Sequence, residues 1–241
     1  MTIKQAMVLA AGLGTRMRPI TEHTPKPLVR IAGKPMIDYA LDLLVDAGVE
    51  TAVVNVHHHA DQMLAHLKSY SRLNIIISDE RDGLMNSGGG LVKGLKLLPR
   101  EPAFVMNADL FWIGEPRNEP GNLRRLADFF DPGAMDMALL CVDMDRTTGH
   151  NGKKDFSLSD DGRLKRYAEG MPRPVVYAGA IALHPSLFDN APADAFNLNI
   201  YFDQAIEKKR LYGTDLAGHW LTVGTPDAIG EAEAAISRIE G

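Results

Sequence analysis

The chain has one cysteine, Cys141, so no intramolecular disulfide can brace it. Set in the apolar stretch MDMALLCV, that thiol reads as a small buried hydrophobe, and its isolation fits a reducing compartment. Long apolar runs are missing as well. None approaches the roughly 18 residues of a membrane span, and the N-terminus lacks the apolar core of a secretion signal. There is no cationic surplus either: 26 Lys and Arg stand against 31 Asp and Glu, a formal net charge of −5, which argues against the broad basic face of a bulk nucleic-acid binder. The expectation is a cytoplasmic protein with neither a membrane nor a nucleic-acid partner. No internal repeat or low-complexity linker interrupts the chain, and 45% hydrophobic content over 241 residues can bury one sizeable core.

What is present is concentrated in residues 9–28, LAAGLGTRMRPITEHTPKPL. An apolar strand over 6–10 runs into a loop in which Gly12 and Gly14 allow unusual backbone conformations and clear side chains away from a ligand. Adjacent amides in such a loop form an anion site, to which Arg16 and Lys26 add full charges. Pro19, Pro25 and Pro27 restrict the backbone around Lys26, so the lysine is prepositioned. Two common phosphate motifs are ruled out. Met17 stands where the dinucleotide fingerprint GxGxxG needs its third glycine, and Gly33-Lys34 is followed by Pro35, not by the Ser or Thr of a phosphate loop.

The segment resembles the signature of the sugar-1-phosphate nucleotidyltransferases, the nucleoside-diphosphate-sugar pyrophosphorylases. GKPMIDYAL (33–41) continues the likeness, which runs more weakly through NADLF to HWLTVGTPD. Within that family, GHNGKKDFSL, VYAGAIALHPSLF and GHWLTVGT look most like the N-acetylmuramate-1-phosphate uridylyltransferases of cell-wall recycling. The resemblance implies an enzyme that takes a nucleoside triphosphate and a sugar 1-phosphate and releases pyrophosphate. UTP and N-acetylmuramate 1-phosphate are the first expectation. GDP-mannose, dTDP-glucose or another nucleotide sugar, CTP-dependent transfer to phosphocholine, and a nucleotide-sugar-binding regulator of weak activity stand as alternatives. Nothing in the sequence favours one oligomeric state.

Apolar periodicity supports the fold class that the resemblance implies. Strands over 4–10, 51–56, 73–78 and 103–107 alternate with helices over 35–47, 60–68 and 87–98, the pattern of a mainly parallel sheet. Met36, Ala40, Leu44 and Ala47 share one helical face and Gly48 ends that helix. Strands follow over 135–142, 154–158, 163–168 and 175–183, with a hairpin turn at Asp160-Asp161-Gly162 and closing helices near 198–209 and 226–238. GEPRNEPG (114–121) reads as a surface loop. The expectation is a Rossmann-like three-layer α/β/α fold with a mixed, mainly parallel sheet. It forms one domain over 1–241, with a nucleotide-binding half (1–112) and a β-rich, sugar-phosphate-binding half (113–241).

The resemblance assigns roles by position. Arg16, Lys26 and Asp109 are the catalytic candidates. Ala10, Ala11, Gly12, Gly14, Thr15, Arg16, Glu80, Gly88 and Asn107 are nucleotide-binding candidates, Glu80 as the reader of the base edge. Lys26, Asn151, Asp155, Gly179 and Asn197 are candidates for the sugar phosphate, and Lys153, Lys154 or Arg173 for the lactyl carboxylate of an N-acetylmuramate acceptor. Asp109 is the expected Mg²⁺ ligand. The family's usual second aspartate is replaced by Thr222, so the metal would rest on Asp109, phosphate oxygens and water, or draw on Asp227. Asn86 stands where many relatives carry glutamate before the glycine run, and Ser87 reads as a helix cap. His57, His58 and His59 read as a solvated loop, since consecutive residues at a strand end cannot all face one ion.

Overall fold

Short β-branched and methionine-rich runs, such as TAVVNV and MVL, are buried on both faces and form central strands. The computed structural model describes all residues, Met1 to Gly241. In chain order the elements are β1 (Gln5–Leu9), β2 (Arg30–Ile31), β3 (Lys34–Pro35), α1 (Met36–Asp46), β4 (Thr51–Val56), α2 (Ala60–Ser69), β5 (Asn74–Asp79), α3 (Asn86–Leu95), β6 (Ala103–Asn107) and β7 (Leu110–Ile113). They continue with α4 (Asn122–Phe129), β8 (Met137–Val142), β9 (Thr147–Thr148), β10 (Phe156–Leu158), β11 (Leu164–Arg166), β12 (Pro174–Leu183), α5 (Asn199–Glu207), β13 (Leu211–Asp215), β14 (His219–Thr222) and α6 (Asp227–Glu240).

The sheet runs β5-β4-β1-β6-β12 and continues through β8 to β13. β5, β4, β1 and β6 are parallel neighbours, whereas β12 lies antiparallel to both β6 and β8. Cores form on both faces. One joins Leu41, Met63 and Leu126 of α1, α2 and α4 to the sheet, and the other joins Leu91 of α3 and Phe202 of α5. This is the expected three-layer α/β/α architecture with a mixed, mainly parallel sheet. No helix is long and apolar enough to cross a membrane.

Several elements depart from the expectation. β7, β13, β14 and α4 were not foreseen. β7 starts three residues after β6 ends, with no glycine or proline to mark the break, and pairs antiparallel with β14 in a small second sheet. α6 packs over this sheet through Ala232, Ala235 and Ile236 against Phe111 and Leu221. α4 follows the expected loop at 114–121, with Leu123, Leu126 and Ala127 on one buried face. The 160–162 hairpin forms as expected between β10 and β11.

β12 is ten residues long and serves two partners along one edge: its first residues pair with β10 and its last four with β6. Between them the register with β8 shifts from Tyr177 to Ile181. Gly179 sits in that shift with φ +81°, and a Cβ there would lie 2.3 Å from Cδ1 of Leu110. Both the left-handed backbone and the contact require glycine. Gly179→Ala should therefore destabilise the fold by about 2 kcal/mol or more, the sum expected of overpacking and backbone strain, measurable as a lower urea midpoint.

Candidate active site

The site forms where β1 and β6 end side by side. Leu9 and Asn107 are register partners, and the loops that follow them leave the same carboxyl edge of the sheet, where open α/β folds hold ligands. In the first loop Gly14 takes φ +63°, and a Cβ there would meet Cβ of Lys26 and Cγ2 of Thr21, each at 2.9 Å. Thr21 Oγ1 donates to the Gly14 carbonyl at 2.8 Å, and the fully buried Met17 anchors the turn. The amides of residues 11 to 13 donate to no carbonyl or side chain of the chain, which leaves them free for an anion.

Lys26 opens a short 3-10 turn and is only 8% exposed. A buried ammonium needs a counter-charge, and Asp109 supplies it: Nζ donates to Oδ2 at 2.6 Å. Arg16 stays exposed, its guanidinium over Gly224, where a Cβ would lie 3.4 Å from Nη1.

Two adjoining clefts open at this edge. The first, about 260 Å³, is lined by Ala10, Ala11, Gly12, Lys26, Asn107 and Asp109 together with Asn55, Leu84, Asn86 and Ser87. The second, about 250 Å³, shares Leu9, Ser87 and Asn107 with it and adds Asp155, Arg166, Tyr177, Asn197 and Phe202. Gly14, Thr15 and Arg16 lie in the loop beside the first cleft. Asp155 Oδ2 accepts from the Tyr177 amide at 3.0 Å, and Asn197 Oδ1 accepts from the Asn199 amide at 2.9 Å, ordering the start of α5.

Other expected residues lie elsewhere. Glu80 is 1% exposed and lines neither cleft. Its Oε1 accepts from Asn55 Nδ2 at 2.7 Å and its Oε2 from the Met85 amide at 3.1 Å, so its carboxylate is turned inward and does not present itself to a base edge. Gly88 is absent from the lining of the first cleft and packs against Phe196, whose ring carbon would be 2.2 Å from a Cβ there, so that packing by itself requires the glycine. Gly179 belongs to the β12 bulge, and Asn151 lies in an exposed loop where its Oδ1 accepts from the Lys153 amide. Ala10 reaches the cleft wall, but its amide is already used, donating to Asn55 Oδ1 at 2.6 Å. Ser87 does not cap α3; its Oγ accepts from the Leu198 amide at 3.0 Å.

The cations expected for a carboxylate are also placed differently. Arg173 pairs with Asp215 and Lys154 lies over the Tyr167 ring, whereas Arg166 lines the second cleft. Arg166 spans the faces of Phe156 and Phe202 and bonds Asp203 at 2.7 Å. In sequence it is one cation of a polar hairpin, and only the folding of β11 against α5 brings it to the cleft. Asn55 did carry a signal, as the one amide in a strand of alanine and valine after Thr51.

The histidine triplet proves structured. Ring nitrogens of His57, His58 and His59 bond the carbonyls of Glu80 at 2.7 Å, Thr21 at 2.9 Å and Glu22 at 3.1 Å. Two of the three thus tie the end of β4 to the segment between Gly14 and Lys26.

The nucleotidyl transferase family profile matches residues 5–150. The N-acetylmuramate alpha-1-phosphate uridylyltransferase of Caulobacter vibrioides is 40% identical over 238 residues, 97% of each chain. The chain belongs to the nucleotidyl transferase family. The protein of the same name from Neisseria meningitidis serogroup B is 31% identical over 95% of this nucleotidyltransferase and 97% of its own length. Among solved structures, the inositol-1-phosphate CTP transferase of T. maritima superposes with a TM-score of 0.79 over 100% of this chain and 97% of that one; at 16% identity this is a likeness of fold.

In this nucleotidyltransferase, loss of the His58 tether should loosen the segment that carries Lys26. His58→Phe keeps a ring beside His59 but removes the donor to Thr21. It should lower kcat/KM about fivefold or more, the loss of one part-buried hydrogen bond, while His58→Gln, whose amide nitrogen can reach the same carbonyl, retains most of it; steady-state assays of the two variants measure the difference.

Proposed function

We propose that the protein is an N-acetylmuramate α-1-phosphate uridylyltransferase that joins UTP to N-acetylmuramate 1-phosphate, releasing pyrophosphate, in cytoplasmic peptidoglycan recycling. The observation that carries this reading is the pair of clefts meeting at Asn107, with the Lys26–Asp109 pair on the wall of the first and Arg166 on the wall of the second. The first cleft suits a nucleoside triphosphate: free amides and Arg16 lie beside its mouth, and Asn86, in the first turn of α3, brings an amide that can both donate to a uracil carbonyl and accept from the ring N–H. The second suits a sugar. Its Arg166 answers the lactyl carboxylate that distinguishes N-acetylmuramate from N-acetylglucosamine. The 40% identity to a relative named for this reaction supports the same reading.

The chemistry then follows from position and charge. An oxygen of the acceptor phosphate attacks the α-phosphorus in line; the new O–P bond forms as the bond to the pyrophosphate oxygen breaks. That oxygen is already ionised, so no general base is needed, and the protein's work is to align two anions and offset their repulsion. Arg16 and the free amides hold the triphosphate tail and the leaving pyrophosphate. Lys26 neutralises charge at the α-phosphate and the incoming phosphate.

The residues fit Mg²⁺ as a substrate-completed site. Asp109 is the only carboxylate lining the first cleft, its side chain is 37% exposed, and no three acidic or histidine groups gather into a cage. Mg²⁺ takes oxygen ligands from one or two carboxylates plus substrate phosphates, and bound there it would offset the charge of the triphosphate. Thr222 lies opposite Leu110 across the β7–β14 pair, beside Asp109, and contributes no charge. On this reading Asp109 is the carboxylate that would hold the ion, and Asp227 lies exposed at the start of α6 outside the first cleft.

A pyrophosphate-release assay crossing four nucleoside triphosphates with several sugar 1-phosphates tests the assignment. UTP with N-acetylmuramate 1-phosphate should be the best pair, and the reading fails if another pair is preferred tenfold. Arg166→Gln should raise KM for N-acetylmuramate 1-phosphate about tenfold, the loss of one charge-assisted contact, and leave that for N-acetylglucosamine 1-phosphate unchanged. Lys26→Ala should lower kcat about 100-fold or more, as removal of a preorganised charge does, and Asp109→Ala should abolish the Mg²⁺ response of the rate.

A further inference from the structure

Asn55 and Glu80 are buried polar side chains at the first cleft, 3% and 1% exposed, Asn55 lining its wall and Glu80 lying behind it. Their hydrogen bonds form one chain. The Ala10 amide donates to Asn55 Oδ1 at 2.6 Å, Asn55 Nδ2 donates to Glu80 Oε1 at 2.7 Å, and the Met85 amide donates to Glu80 Oε2 at 3.1 Å. Ala10 begins the glycine loop, and Met85 is the residue on which α3 starts. The chain thus crosses from one wall of the cleft to the other through two side chains.

The match of donors to acceptors leaves no freedom in this arrangement. The Ala10 N–H needs an acceptor, so the Asn55 carbonyl must face it and the Asn55 amide must face Glu80. Glu80 can then only accept. Its charge has no cation in contact, but it lies at the amino end of α3, where aligned peptide dipoles favour a negative group. Gly90 closes the space, since a Cβ there would lie 2.7 Å from Glu80 Oε1 and 2.8 Å from Asn55 Nδ2. A shift of either wall would leave a buried polar group unpaired, which is costly.

We infer that Asn55 and Glu80 are a positioning pair that sets the separation of the glycine loop from α3, and with it the fit of the nucleoside, without touching the nucleotide through Glu80. The inference rests on the first cleft being the nucleotide site. It also accounts for a carboxylate that has no place in the reaction itself.

The pair can be inverted without changing its shape. Glu80→Gln alone sets an amide N–H against either Asn55 Nδ2 or the Met85 amide. Asn55→Asp alone sets two carboxylates against each other. The double variant Asn55→Asp with Glu80→Gln restores all three bonds, because the carboxylate introduced at position 55 accepts from both Ala10 and the new amide at position 80, while the carbonyl of that amide accepts from Met85. Each single variant should raise KM for the triphosphate about tenfold, the scale of a buried hydrogen bond replaced by a clash, and leave KM for the sugar phosphate within about twofold. The double variant should return within about threefold of the wild type, the non-additivity expected of partners in contact. A merely structural role would lower the melting temperature of the single variants and leave the KM for triphosphate unmoved, and that result overturns the inference, as does a double variant no better than the worse single. The substrate reading is tested separately on the wild type; if UTP is not its substrate, the four proteins are ranked with the triphosphate that is, by KM and by nucleotide-induced thermal stabilisation.

Discussion

A lysine ammonium that is only 8% exposed is held by one carboxylate, and much of the site is arranged around that fact. An unpaired buried charge would cost several kcal/mol, so Lys26 and Asp109 must be brought together from opposite loops. That requires the segment from Gly14 to Lys26 to fold back over the ends of β1 and β6. Gly14 admits the approach of Lys26, Thr21 fastens the turn to Gly14, and His58 and His59 fasten it to β4. The prolines around Lys26 lower the entropy lost in holding this path. Asp109 in turn lies in the short turn between β6 and β7, whose pairing with β14 brings Thr222 beside it.

The opposite wall depends on a different constraint, the close packing of α3 on the sheet. Glycine is a poor helix former, yet α3 contains four: Gly88, Gly89, Gly90 and Gly94. Gly88, Gly90 and Gly94 face atoms that leave no space for a side chain, namely the Phe196 ring, the Asn55–Glu80 pair and Sδ of Met7, and Gly89 packs tightly on the Met85 side chain and the 194–195 backbone. The glycine run is therefore as much a packing surface as a ligand surface. It lets α3 sit deep enough for its first turn to line both clefts through Ser87.

Much of this was legible before folding. Residues 9–28 carry the reaction class because glycines, a spaced arginine and a proline-flanked lysine are local features, and the βα alternation of the first half is a local periodicity. Lys26, Asp109, Asn107 and Gly12 meet at one cleft, as the resemblance implied. Glu80 and Gly88 do not line it, since a side chain's partner is chosen by packing: Glu80 turns inward to Asn55, and Gly88 yields to Phe196, more than a hundred residues away. β7 has no glycine or proline at its upstream edge, and β14, although Gly218 precedes it, is stabilised by β7 across a long span of chain that no local pattern reveals.

What the sequence alone determined is the glycine loop with its spaced cations, the alternating α/β order and the family membership, because propensity, glycine placement and periodicity act within a few residues. What only the tertiary structure decided is which side chains face the clefts: Arg166 in place of Arg173, Asn86 in place of Glu80, and Asn55 on the wall in front of Glu80. Those outcomes depend on contacts between distant segments, where burial and the need to satisfy every buried donor and acceptor select one arrangement among many that the local pattern allows.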